Sequence, residues 1–215
     1  MSRFLETLDM MEVGLLAAST IAFAVYLVMP NRPPSLKRTI AKTLAVALLS
    51  VLAYVAGGPK LLVFALALSA LGDAFLAHDG DVAFLGGLGS FLAAHVVYAI
   101  LFISSGPGIT AAGMPGFLAI AVFALGMGFV MVRKAGPLAA PVAAYVLAVA
   151  VMGLGGVTLG GLVLAGVVLF MASDAILGSE KFLMAEDSPV RRVTVPAVWL
   201  LYYAGQVLIT LGLLA

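Results

Sequence analysis

An all-α membrane bundle of eight spanning helices is the fold the sequence predicts, and three observations predict it. Of 215 residues, 64% are hydrophobic and 10% charged, with a mean hydropathy of +1.22. A soluble domain of this length needs far more polar surface, so lipid has to solvate most of these side chains. The apolar residues fall in runs close to the roughly 20 residues a spanning helix requires. The connectors are too short to hold a soluble domain, and backbone polar groups in lipid must be satisfied within each segment. One helical domain over 1–215 is the expectation.

Breaks at Gly, Pro and charge clusters set the elements in order. The first span, 13–29, ends where prolines begin, and the second, 40–57, carries Lys42 near its start and stops at "GGP" (57–59). The third, 61–77, closes on "LGDAFLA" (71–77); the fourth, 86–104, follows a polar loop and stops at "SSGPG" (104–108). The fifth, 116–133, ends at Arg133 and Lys134, and the sixth, 138–154, runs into the glycine-rich "GLGGVTLGG" (153–161). The seventh, 158–178, closes on "ASDAILG" (172–178), and the eighth, 193–214, follows Arg191 and Arg192. The glycines in "GGLG" (86–89) and 153–161 read as close helix packing.

Net charge of +1 gives no reason to expect a nucleic-acid partner. Without cysteine there are no disulfides or thiolate metal sites. The leading "MSRFLETLDMMEVG" is acidic and lacks a small-residue cleavage site, so it does not read as a signal peptide. Arg32, Lys37, Arg38, Lys42, Arg133, Lys134, Lys181, Arg191 and Arg192 all fall in odd-numbered loops or their helix ends, leaving only Arg3 and Lys60 on the other side. The positive-inside rule then puts those loops in the cytoplasm and both termini outside, in a multi-pass protein of a bacterial inner (plasma) membrane.

Asp73 and Asp174 stand 101 positions apart in matching contexts, each one turn inside the end of its span. After each comes a polar loop and then a helix bearing aromatics and a strongly polar residue: "HVVY" (95–98) and "YYAGQ" (202–206). His95 with Tyr98, and Tyr203 with Gln206, share a helix face at i, i+3. The pattern suggests a four-plus-four internal repeat. An intramembrane carboxylate is costly and marks either an interhelical contact or a functional site; two in matched positions suggest paired acid–base chemistry, one protonated and one ionised. His95 could orient a carboxylate or carry a proton. Tyr202, Tyr203 and Gln206 could bind substrate or join helices. Lys42 could snorkel to headgroups or hold a substrate phosphate. Asp79, Asp81, Glu180, Glu186 and Asp187 read as solvated loop charges, and His78 as solvated at a loop edge.

Sharper motifs fail. No serine lies in G-x-S-x-G. Two histidines without cysteine cannot build the usual three-ligand catalytic zinc site unaided. "DGDVAF" (79–84) starts like the phosphatidyl-transferase pattern, but Phe84 replaces its Arg.

The chain resembles the lysoplasmalogenase family of multi-pass membrane proteins, the YhhN-like and transmembrane-86-like group. The residues that carry the resemblance are "LGDAFLA", "FLGGLGSFLAAHVVYAILF" (84–102), "ASDAILGSEKF" (172–182) and "LLYYAGQVLI" (200–209). A basic residue opening the second helix also fits, although Thr43 stands after Lys42 where a proline is typical. The resemblance implies hydrolysis of the vinyl ether bond of a lysoplasmalogen to a fatty aldehyde and a glycerophospho-ethanolamine or -choline. Asp73 and Asp174 would be catalytic, and His95, Tyr98, Tyr202, Tyr203, Gln206, Lys42 and Lys181 would bind substrate. A lysophospholipid would enter from the bilayer, its headgroup at the basic rim, with no cofactor or metal required. A proton-coupled transporter or lipid-handling protein is the alternative. Oligomeric state is open.

Overall fold

Residues 9–29, 33–110 and 113–215 are described by a computed structural model. Arg3, Arg32 and most of the acidic leader lie outside the described residues. Eight α-helices follow one another, with no strand among the described residues: α1 (Met10–Leu27), α2 (Leu36–Val55), α3 (Lys60–Leu76), α4 (Asp81–Ser105), α5 (Met114–Lys134), α6 (Ala139–Leu159), α7 (Gly161–Phe182) and α8 (Arg191–Leu214). A short 3₁₀ turn, Gly136–Leu138, leads into α6. Seven of the helices are long and apolar enough to cross a membrane. The remaining one, α3, has 17 residues, about 26 Å at 1.5 Å per residue, the low end of the spanning range.

Local chemistry explains the ends. Asp9 caps α1 through a reciprocal box in which its carboxylate accepts from the Glu12 amide at 2.8 Å and Glu12 returns to the Asp9 amide at 2.9 Å. Helix α2 stops in a Schellman turn: the amide of Gly57 (φ +67°) bonds Tyr54 O and that of Gly58 bonds Ala53 O.

Four boundaries lie four or five residues from expectation. The second helix starts at Leu36 rather than 40, where the Ser35 side chain caps it by accepting from the Arg38 amide. The fourth helix starts at Asp81 rather than 86, because Asp81 suits the amide-rich first turn and "GGLG" is interior. A Cβ on Gly86 or Gly87 would come within 2.6 Å of Phe75 or Leu76, so these glycines let α4 lie against α3. The sixth runs on to Leu159 for the same reason, Gly153 and Gly156 seating against Met171 and Val167. The seventh continues to Phe182, four residues past 178, since Gly178 packs on Met131 instead of ending the helix.

Within each half, consecutive helices pack on one another: α1 on α2 on α3 on α4, and α5 on α6 on α7 on α8. The halves meet crosswise, α4 against α6 and α8 against α2. That adjacency fits the four-plus-four pattern. The most extensive pair, α7 and α8, crosses where Gly166 faces Gly205; a Cβ on Gly205 would sit 2.7 Å from the Gly166 carbonyl oxygen. Small residues bring backbones together where lipid supplies no hydrophobic drive. Because the helices alternate in direction, the ends of α1, α3, α5 and α7 and the starts of α2, α4, α6 and α8 share one end of the bundle. Every described basic residue except Lys60 lies at that end.

Candidate active site

Asp73 and Asp174 line one chamber at the basic end of the bundle. It measures about 180 Å³ and is also bordered by Lys42 and Arg38 of α2, Trp199 and Tyr202 of α8, and Glu180 of α7. Asp73 is 1% exposed. Its Oδ1 lies 3.8 Å from Lys42 Nζ, and its Oδ2 accepts from the Tyr202 hydroxyl at 2.8 Å.

Asp174, with its side chain 12% exposed, is held differently. Its Oδ2 accepts from the Tyr145 hydroxyl of α6 at 3.1 Å. His95 of α4, fully buried, brings Nε2 to the same oxygen at 3.1 Å, a close approach without hydrogen-bond alignment. His95 Nδ1 lies 2.6 Å from Phe91 O. A carbonyl oxygen can only accept, so Nδ1 carries a proton.

The two aspartates have a common plan. Each takes one partner from the helix before it, Lys42 for Asp73 and Tyr145 for Asp174. Each takes the other from the last helix of the opposite half, Tyr202 for Asp73 and His95 for Asp174.

A second cavity, about 100 Å³ and almost wholly apolar, opens on the far side of Asp174 between α4, α5, α6 and α7. Phe84, Phe123, Met127, Val146 and Phe182 are among its walls. Asp174, Leu76, Phe91 and Leu177 border both cavities. One carboxylate thus stands where a polar chamber meets a greasy one.

The remaining candidates separate. Tyr98 and Gln206 bond each other at 2.6 Å in the buried core, one turn from the Tyr202 position on α8. Tyr203 points elsewhere. Ser19 donates to Ala45 O at 2.5 Å, so the Tyr203 hydroxyl, 2.8 Å from Ser19 Oγ, is the donor in that bond and ties α8 to α1 and α2. Phe23 stacks on its ring at 4.3 Å. Lys181 sits over the Phe84 ring at 4.5 Å, at the apolar cavity instead of the polar one.

Two residues of the site escape the sequence reading. Tyr145 stands in an unremarkable apolar helix, and only its neighbour in space gives it a role. Glu180, expected to be a solvated loop charge, is helical and 6% exposed; the extra turn of α7 carries it into the chamber. Among the described residues, no group of three His, Asp or Glu side chains gathers as metal ligands would.

A family model described as the YhhN family matches residues 37–213. Neither the curated proteins nor the solved structures include a match to the chain.

Proposed function

From the premise that the chain belongs to the YhhN family, we propose that it is a membrane hydrolase cleaving the vinyl ether bond of lysoplasmalogens. Family membership and the helical membrane architecture are consistent with a membrane enzyme. The observation that carries the finer reading is the position of Asp174, shared by a polar chamber and an apolar cavity. A lysophospholipid has the same division, a charged headgroup and one hydrocarbon chain, and its alkenyl ether lies at the junction.

A vinyl ether resists nucleophiles and yields to protonation at its β-carbon. Asp174, with His95 beside it and Tyr145 donating to it, is the acid in this scheme. Protonation leaves an oxocarbenium ion, which Asp73 stabilises as a carboxylate beside Lys42 while orienting water. Water adds to the cationic carbon, and the proton it loses returns to the Asp174 carboxylate. The hemiacetal then collapses to the fatty aldehyde and the glycerophospho-alcohol. One water is consumed and the acid is restored.

The basic end of the bundle faces the cytoplasm in this reading, so substrate enters from that leaflet. Transport coupled to protons is less well supported, since α3 and α7 run unbroken through the positions of their acids. The test is product analysis with purified protein. Alkenyl lysolipid should give free aldehyde and acyl lysolipid should give no fatty acid; no aldehyde, or release of fatty acid alone, rejects the proposal.

A further inference from the structure

The polar chamber contains a carboxylate that the hydrolysis does not use. Glu180 is buried on α7, lines the chamber, and has an Oε1 atom with no hydrogen-bond partner. Arg191 does not answer it: its guanidinium bonds the backbone carbonyls of Glu180 and Ala185. An acceptor removed from water without a donor is costly to the fold. Retaining one at the wall of a polar chamber makes sense when something bound there supplies the donor.

The order of charges along the chamber indicates what that is. Lys42 stands level with Asp73. Arg38, also on the chamber wall, is four residues nearer the helix start, about 6 Å outward. Glu180 lies six residues beyond Asp174, about 9 Å outward along α7. From the aspartates toward the membrane surface, the chamber presents cationic side chains and then a buried anionic one. A zwitterionic headgroup has the complementary order: a phosphate close to the glycerol, then a cationic amine two carbons further out.

We propose that Glu180 is the residue that selects the headgroup, receiving the primary ammonium of a phosphoethanolamine while Lys42 and Arg38 face its phosphate. The inference rests on the lysophospholipid reading above. An ammonium brings N–H donors to the vacant Oε1 as well as charge; a phosphoglycerol headgroup brings no cation.

Two measurements on the full-length protein in detergent decide it. The first is kcat/KM for aldehyde release from alkenyl lysophosphoethanolamine and alkenyl lysophosphoglycerol. Wild type should favour the ethanolamine lipid. Glu180→Gln should lower kcat/KM for that lipid by roughly 10–100-fold, mainly through KM, and leave the glycerol lipid within about twofold. Glu180→Asp, keeping the charge, should retain the preference. Equal losses on both lipids for Glu180→Gln, or no preference in wild type, overturn the proposal.

The second measurement needs no turnover. Trp199 is the chain's one tryptophan and borders the chamber, so its fluorescence can report binding of saturated alkyl lysophosphoethanolamine, which has no vinyl ether. The same selectivity should appear in Kd and vanish in Glu180→Gln. If wild type releases no aldehyde, the hydrolase reading fails and this titration still decides the role of Glu180. An unchanged Kd for the ethanolamine lipid in Glu180→Gln would reject it.

Discussion

Asp73→Asn and Asp174→Asn should both abolish aldehyde release, yet they should differ in what they do to the fold. Both changes keep side-chain shape and an oxygen that can accept from Tyr202 or Tyr145. Both remove a titratable proton and a negative charge. General acid–base catalysis is worth about 10²–10⁴-fold, and here protonation is the only route to cleavage, so either loss should be at least of that size. Because the two carboxylates act as one unit, the double variant should be little worse than either single one.

Stability separates them. Asp73 faces a cation at 3.8 Å, and Coulomb's law at an effective dielectric constant of about 20 gives an attraction of about 4 kcal/mol. Relieving the desolvation of the buried carboxylate offsets part of that attraction, while Lys42 is left without its counter-charge and can relax only part of the way toward the surface, so the net loss on neutralising Asp73 should be about 2–3 kcal/mol. Asp174 is held through a tyrosine hydroxyl and a histidine and, among the described residues, forms no ion pair with a lysine or arginine, and the amide should cost about 1 kcal/mol. The difference corresponds to roughly 2–8 °C in Tm for a chain of this length. Aldehyde release and thermal unfolding in the same detergent read both effects. Near-normal turnover in either variant refutes the paired mechanism; equal Tm values refute the charge asymmetry.

Tyr145→Phe removes the donor to Asp174 and should lower kcat about tenfold with KM little changed; a change confined to KM would make Tyr145 a binding residue instead. Adjacent tyrosines should behave oppositely: Tyr202→Phe should lower turnover, whereas Tyr203→Phe should lower Tm and leave kcat intact, measured in parallel. Gly205→Ala should destabilise the crossing of α7 and α8 by about 1–3 kcal/mol, seen in thermal unfolding, because its Cβ would press on the Gly166 carbonyl.

The helices are legible in the sequence because lipid forces each apolar run to satisfy its own backbone. Their ends are less so. Glycine reads as a breaker when no neighbour is known, but Gly86, Gly153 and Gly178 are interior residues chosen for the helix lying against them. That ambiguity hid Glu180, two residues past the expected end of α7. Asp73 and Asp174 stand out because an acid in an apolar run needs a reason, and the structure does bring them to one chamber. Tyr203 shares a face with Gln206 at i, i+3, yet Tyr202, at i, i+4 from Gln206, is the one that bonds Asp73; both spacings bring side chains onto one face, and only packing chooses. Tyr145 had no local signal at all, since an aromatic in a spanning helix is ordinary.

The crossed support of the two aspartates bears on how such a protein could have arisen and how it must be assembled. Residues 1–110 alone would hold Asp73 with Lys42 but without Tyr202; residues 113–215 alone would hold Asp174 with Tyr145 but without His95. Neither half carries a finished acid. A four-helix ancestor would have completed its site only by pairing with a second copy, with identical supports at both acids. Had two such copies been joined in one chain, their supports could diverge, to a lysine and a tyrosine on one side and a tyrosine and a histidine on the other. Two equivalent carboxylates could then take up different tasks.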